Sequence, residues 1–117
     1  MLTIVTDVHL KEGAEDQWDS IMRERLSAAA TQPGWIGGQM LQPTDRPSDR
    51  IIVGTWHSRD DWEKWHHDAR FEETREELEG LTVEPPMHSW NEVVVDARAE
   101  GQHAAKGRRS TSRRKRE

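Results

Sequence analysis

Two tryptophans and two adjacent histidines stand within ten residues, in the stretch WEKWHHDARF from Trp62 to Phe71. A tryptophan ring provides a flat wall and one N–H donor, and a histidine of ordinary pKa can act as a general base on a phenol. In a helix, Trp62, Trp65 and His66 share one face. His67 then points away from that face. The stretch is therefore either part of a reactive cavity or a junction between two helices.

The same residues also have plainer interpretations. Trp62 and Trp65 fit the apolar stripe of a short helix, which is our preferred interpretation for Trp62, and a histidine near a helix end often only caps it. A metal site at His66 and His67 is disfavoured, because adjacent helical residues diverge by about 100°. The chain has no cysteine, which excludes thiolate ligands and thiol nucleophiles. We predict no metal.

The elements that must position these residues follow from the spacing of apolar side chains. Residues 2–10 alternate as a strand, and the residues from Trp18 to Ala29 are spaced as a helix that ends at Pro33 and Gly34. Ser58 and Asp68 each begin a helical segment, so the second helical region is broken in two. The further strands are predicted at residues 35–41, 50–56 and 87–97, and the glycines at 37 and 38 predict a bulge or a close approach of the backbone.

This order predicts an α+β fold, a ferredoxin-like split βαβ with an antiparallel sheet and helices on one face. The other face of the sheet needs a cover, and a second copy of the chain can supply it. Only 32% of the residues are hydrophobic, less than is usual for a globular domain, so the monomer core should be thin. We therefore expect a homodimer.

The charge divides the chain into two regions. Residues 101–117 hold seven Lys and Arg against one Glu, a net +6, so the overall −5 leaves −11 on residues 1–100. We predict one domain at residues 1–97 and a disordered basic tail at 98–117. Tails of this kind bind nucleic acid or an acidic partner in some proteins and are only solvated in others; we favour the second. The absence of an export signal and of a membrane-spanning run predicts a cytoplasmic protein with no membrane contact.

Three segments together resemble a known family: the first strand, QPGWIGGQMLQP, and VGTWHSRDDWEKWHHDARF, followed by a closing hydrophobic strand. They are similar to the antibiotic biosynthesis monooxygenase family of dimeric α+β barrels, over residues 1–97. The resemblance implies that two subunits place their sheets face to face and that each keeps its own pocket between sheet and helices. Its members include cofactor-independent oxygenases of phenols and quinols, haem-degrading enzymes and proteins of unknown substrate.

The resemblance also assigns positions. The tryptophan of the haem-degrading branch falls on Trp65, its asparagine on Thr6, and its histidine ligand on Thr74 or Arg75. Neither threonine nor arginine is an ordinary axial ligand of haem. Thr6 is either a cavity donor or a tolerated core hydroxyl. We expect no cofactor, with haem kept as an alternative.

The function that the resemblance implies is a cofactor-independent monooxygenase acting on a small aromatic, phenolic or quinol-type substrate. His66 or Asp7 would be the base, and Arg75 or an indole N–H would stabilise the anion; Arg75 has a plainer interpretation as a surface pair with Glu79. The candidate catalytic residues are Trp65, His66, Asp7 and Arg75, and the candidate substrate-binding residues are Thr6, Trp62 and Phe71. The alternatives are a haem-binding or haem-degrading protein and a non-catalytic dimeric binding module with a basic tail.

Overall fold

The structure, a computed structural model, describes residues 1–99 of the chain. Its elements are β1 (Leu2–His9), α1 (Glu15–Ala29), β2 (Trp35–Leu41), β3 (Asp49–Trp56), α2 (Arg59–His66), α3 (Ala69–Glu79) and β4 (Met87–Glu92). The predicted order of strands and helices is confirmed, including the break in the second helical region.

The four strands form one antiparallel sheet in the order β2-β3-β1-β4. β1 is central, so that Val5 lies opposite Val53 of β3 on one side and opposite Ser89 of β4 on the other. The helices lie on one face of this sheet, where α1 packs against α3. The arrangement is the split βαβ of the ferredoxin-like α+β class, as predicted.

A polar side chain caps the start of each of the two short helices, α2 and α3. The Ser58 hydroxyl accepts a hydrogen bond from the Asp61 backbone N–H (3.2 Å) at the start of α2. The Asp68 carboxylate accepts one from the Arg70 backbone N–H (2.8 Å) at the start of α3. Both predicted caps are confirmed, and each satisfies a backbone donor that the helix itself leaves unpaired. The stretch WEKWHHDARF is therefore a helix junction, centred on His67.

The turn from α1 into β2 requires glycine at position 34. Gly34 has φ +88°, a left-handed conformation that glycine adopts without steric cost. A Cβ at this position would also overlap the Asp61 carboxylate. The Gly34 carbonyl accepts a hydrogen bond from the His57 backbone N–H (2.7 Å). This turn thus joins the start of β2 to the start of α2. The register shift between Trp35 and Gly37 confirms the predicted bulge.

The face of the sheet below the helices carries two hydrophobic clusters. The first cluster consists of Val8, Leu10, Ala14, Trp18, Ile21, Met22 and Leu78. The second cluster consists of Ile4, Ala29, Trp56, Trp65 and Phe71. The predicted apolar stripe of α1 contributes to both. The buried Arg50 joins β3 to α1 through two hydrogen bonds to the Asp19 carboxylate, at 2.8 and 3.1 Å.

The opposite face of the sheet is open in the single chain. Val5, Val53 and Thr55 lie on it, and none of them is fully buried. One prediction about this region was wrong: the last strand ends at Glu92, and Val94 and Val95 are 90% and 80% exposed instead of covered on both faces. The apolar run of residues 93–95 reads as a strand in sequence, but no described strand lies beside it.

No helix within residues 1–99 is long and apolar enough to cross a membrane. The predicted basic tail, residues 98–117, lies outside the described residues except for Arg98 and Ala99. The interpretations placed on it, nucleic-acid binding and attachment to acidic partners, stay predictions.

Candidate active site

A cavity of about 150 Å³ lies between the sheet and the helices, at the second hydrophobic cluster. An apolar cavity of about this size accepts a benzene-sized ring. Its aromatic walls are Trp35, Trp56, Trp62, Trp65 and Phe71, and its polar side chains are Thr6, Arg25, His66 and His88. A largely apolar cleft with a few convergent polar groups is the usual form of a small-molecule site.

His66 is the central polar group of this cavity. Its Nδ1 lies 2.9 Å from the Trp62 carbonyl oxygen. Because a carbonyl can only accept, Nδ1 carries the proton and the Nε2 lone pair is left as an acceptor. The imidazole lies between Trp62 and Phe71, with ring centroids 3.5 and 4.1 Å away. Burial lowers its pKa to about 4, and the positive charges of Arg25 and Arg75 act in the same direction. His66 is therefore neutral at physiological pH.

The two tryptophans of α2 are buried to different extents. Trp65, a candidate catalytic residue that also fits the apolar stripe, is only 4% exposed and packs edge-to-face on Phe71. Trp62, expected in the core, is half-buried and packs edge-to-face on Trp90, which is 38% exposed. The reason is their neighbours: Trp65 faces the second cluster, whereas Trp62 faces the edge strand β4. Both rings line the cavity.

Thr6 and Phe71, both predicted as substrate-binding residues, also line the cavity. The Thr6 hydroxyl lies 2.9 Å from His88 Nδ1, on the edge strand beside it. His88 was missed in the sequence. The alternation of side chains along the last strand could have identified it. His88 pairs with Thr6 and Trp90 pairs with Ile4, and all four lie on the helix side of the sheet.

Arg25 is the second cavity residue that sequence reasoning missed. Its Nε donates to the Thr74 hydroxyl (2.8 Å) and its Nη2 to the Phe71 carbonyl (3.0 Å). Burial lowers its pKa to about 10, which leaves the guanidinium charged at neutral pH. Its place in the helix could have identified it, because Arg25 stands seven residues after Trp18 and so lies on the apolar stripe of α1.

Two predicted catalytic residues lie outside the cavity. Asp7 is exposed on the open face of the sheet, because it alternates with Thr6 along β1, and it cannot act as a base on a ligand beside His66. Arg75 is exposed and its guanidinium lies 5.5 Å from the Phe71 ring centre without lining the cavity. Its ion pair is with Glu72 (3.2 Å), instead of the expected Glu79.

The described residues do not fit a haem. Of the two positions to which the resemblance assigns the axial ligand, Arg75 is turned outward and the Thr74 hydroxyl is used by Arg25 and the Phe71 carbonyl. The cavity is also smaller than the roughly 300–1,000 Å³ of sites for drug-sized ligands. Within residues 1–99, no three His, Asp or Glu side chains are grouped so that they could hold a metal ion.

A larger cavity, of about 390 Å³, lies on the open face of the sheet. Thr3, Gln39 and Thr55 line it, together with Arg98 and Asp96 after β4. It has neither a histidine nor an aromatic wall among its lining residues. It lies on the opposite face of the sheet from His66 and has no imidazole that could act as a base.

The family profile described as "Antibiotic biosynthesis monooxygenase" matches residues 1–77. No curated protein matches the sequence. Solved structures do match. A candidate antibiotic biosynthesis monooxygenase from Nitrosomonas europaea superposes with a TM-score of 0.77 at 16% identity, over 81% of this chain and 100% of that one.

A second similar structure is SnoaB of Streptomyces nogalater, described as a cofactor-independent oxygenase. It has a TM-score of 0.73 at 18% identity, over 81% of this chain and 94% of its own. A conserved protein of Methanosarcina mazei has a TM-score of 0.74 at 11% identity, over 77% of this chain and 89% of its own. At these identities the structures establish a shared fold.

Proposed function

The chain belongs to the antibiotic biosynthesis monooxygenase family, and from that premise we propose that it is a cofactor-independent monooxygenase of a single-ring phenol or hydroquinone. The observation that carries the proposal is the environment of His66: a neutral imidazole with an acceptor Nε2, held between two aromatic rings in a cavity of single-ring size. The description of SnoaB as a cofactor-independent oxygenase supports the same chemistry.

The aromatic walls bind and orient the ring. A substrate ring placed among Trp65, Phe71 and Trp56 is held by edge and face contacts of the kind that aromatic pairs make in protein cores. The apolar lining lowers the local dielectric, which strengthens a hydrogen bond between a phenolic hydroxyl and His66 Nε2. His66 cannot rotate freely, because its Nδ1–H is held by the Trp62 carbonyl.

The reaction requires His66 to take the phenolic proton. The resulting phenolate is electron-rich and gives electrons to O₂ directly. One oxygen atom forms a new C–O bond on the ring while the ring loses its hydrogens to become a quinone, and the other oxygen atom leaves as water. The substrate supplies all the electrons, so that no separate reductant is needed. The positive charge of Arg25 at the cavity wall stabilises the phenolate.

We further propose that the active form is a homodimer joined through the open face of the sheet. Apolar side chains on or beside that face are exposed in the single chain, among them Ile36 at 39% and Leu41 at 40%. Val94 and Val95, which follow β4, are more exposed still. A second copy would cover these groups and would leave the cavity, on the helix side of the sheet, accessible.

Oxygen uptake tests the proposed activity. Protein treated with a chelator should consume O₂ in the presence of single-ring phenols and hydroquinones, with one quinone formed for each O₂ consumed. The His66→Ala variant should lower kcat by about 10²–10⁴-fold, the usual contribution of a general base. His67→Ala is the matched control, because His67 is exposed and does not line the cavity. Uptake that never exceeds the uncatalysed rate, or that is equal in the two variants, would contradict the proposal.

A further inference from the structure

Arg25 places a positive charge at the wall of the cavity among apolar groups. Its guanidinium carbon lies 3.8 Å from the Phe71 ring centre, so that the cation packs on the same ring as His66. Both of its hydrogen bonds go to neutral oxygens, the Thr74 hydroxyl and the Phe71 carbonyl. These bonds fix the direction of the guanidinium and use Nε and Nη2.

The charge of Arg25 has no carboxylate partner among residues 1–99. Every ion pair in that part of the chain involves other groups, and the nearby Glu72 is paired with Arg75 at 3.2 Å. The hydrogen bonds found there leave Nη1 of Arg25 without a protein acceptor. The carboxylates of Glu72 and Glu79 favour the charge of Arg25 only from beyond ion-pair distance, and an anion in direct contact would offset more of the cost of burying that charge.

His66 and Arg25, which both pack on Phe71, therefore bind different kinds of ligand group. His66 Nε2 accepts, so it requires a hydroxyl donor, whereas Nη1 of Arg25 can only donate and carries a positive charge, which suits an anionic oxygen. We propose, on the basis of the proposed function, that the substrate is a phenolic aromatic acid. Its single ring carries a hydroxyl that binds His66 and a carboxylate that binds Arg25. Arg25 is then the residue that determines specificity for anionic over neutral rings.

A matched pair of ligands tests this directly. The compounds 4-hydroxybenzoate and 4-hydroxybenzamide have the same ring and the same phenol, and only the first is an anion at neutral pH. Calorimetric titration of the full chain should show the acid binding more tightly by on the order of tenfold, as expected when a charge-assisted hydrogen bond replaces a neutral one. Equal affinities, or tighter binding of the amide, would overturn the inference.

Two variants locate the effect. Arg25→Gln should bring the affinities for acid and amide to within about twofold of each other, since the ionic contribution is lost. Arg75→Gln removes the same charge from the other arginine beside Phe71, but Arg75 does not line the cavity. It should keep the preference for the acid. Loss of the preference in both variants would indicate that the acid is attracted only by the overall positive charge near Phe71, and would overturn the role of Arg25.

A crystal structure of the wild-type protein with bound 4-hydroxybenzoate tests the same inference without depending on the folding of any variant. The carboxylate should lie about 2.7–2.9 Å from Nη1 of Arg25; a carboxylate that points to solvent or to Arg75 would overturn the inference. These binding measurements are independent of turnover. Oxygen uptake with neutral hydroquinones and no preference for acids would leave the proposed activity standing, whereas acid binding without oxygen uptake would leave Arg25 as an anion site in a protein of other function.

Discussion

At the scale of single residues, the cavity depends on the tautomer and the charge of His66. The Trp62 carbonyl fixes the proton on Nδ1, and burial keeps the ring neutral. The same burial makes the free imidazole a weak base. An anion bound at Arg25 would cancel one of the positive charges that lower the pKa of His66 and would make it a better proton acceptor when the substrate is present.

The lowered pKa of His66 predicts a pH dependence of stability. Its folded pKa is about 4 and its ordinary value 6.5. Between these values the unfolded chain binds the proton and the folded chain does not. The free energy of unfolding should therefore fall as the pH is lowered through this window. Urea unfolding at a series of pH values should show a shallower slope for His66→Gln than for the wild type, and an unchanged slope for the exposed His67→Gln. Equal slopes in all three proteins would be inconsistent with a buried neutral His66.

The burial of the two α2 tryptophans predicts unequal costs of truncation. Trp65→Ala should lower the free energy of unfolding by about 3–5 kcal/mol, as is usual for a large buried ring. Trp62→Ala should cost about 1–2 kcal/mol, because a half-buried ring loses less apolar burial. Urea unfolding measures both. A larger loss at Trp62 would restore the interpretation that the sequence favoured and would contradict the packing described above.

At the scale of elements, the caps and the glycine turn place the cavity residues. Ser58 and Asp68 set where α2 and α3 begin, and both were identified from sequence because a cap is a local signal. Arg25 could not be assigned in this way. A charged residue on an apolar stripe also fits a side chain whose stem is buried and whose head reaches water, and only the packing of α3 over α1 distinguishes the two.

The turn between α1 and β2 should tolerate only glycine at position 34. Gly34→Ala should cost about 1–2 kcal/mol from the left-handed backbone alone, and more because the new Cβ would overlap the Asp61 carboxylate. Gly37→Ala is the control: a Cβ there meets no atom within 4 Å. Thermal unfolding should rank the two variants clearly. Similar melting temperatures would show that the turn between α1 and β2 does not constrain α2.

At the scale of the whole molecule, the fold class was predictable because alternation, helical spacing and caps agree with one another along residues 1–92. The extent of the last strand was not. Val93, Val94 and Val95 have the composition of a buried strand, and sequence does not reveal which chain would cover them. The open face of the sheet presents the same question, which the proposed second subunit answers.

Sedimentation at micromolar concentration tests that assembly. The chain should sediment at about twice its mass of 13.6 kDa. Deletion of residues 101–117 should leave the dimer and its unfolding free energy unchanged, since the proposed interface lies on the sheet and no large apolar side chain occurs in the tail. Val53→Asp, on the open face, should yield a folded monomer because it would place an unpaired charge in the proposed interface. A wild-type chain that sediments as a monomer would rule out the dimeric barrel.

The roles proposed for His66 and Arg25 both require that the substrate binds in the cavity beside His66. The most direct test is a crystal structure of the protein with hydroquinone bound in the absence of oxygen. Density for one ring should appear in the cavity lined by Trp35, Trp56 and Phe71, with a ligand oxygen about 2.6–3.2 Å from His66 Nε2. A ring bound on the open face of the sheet, or in contact with the exposed Asp7 instead of His66, would contradict it.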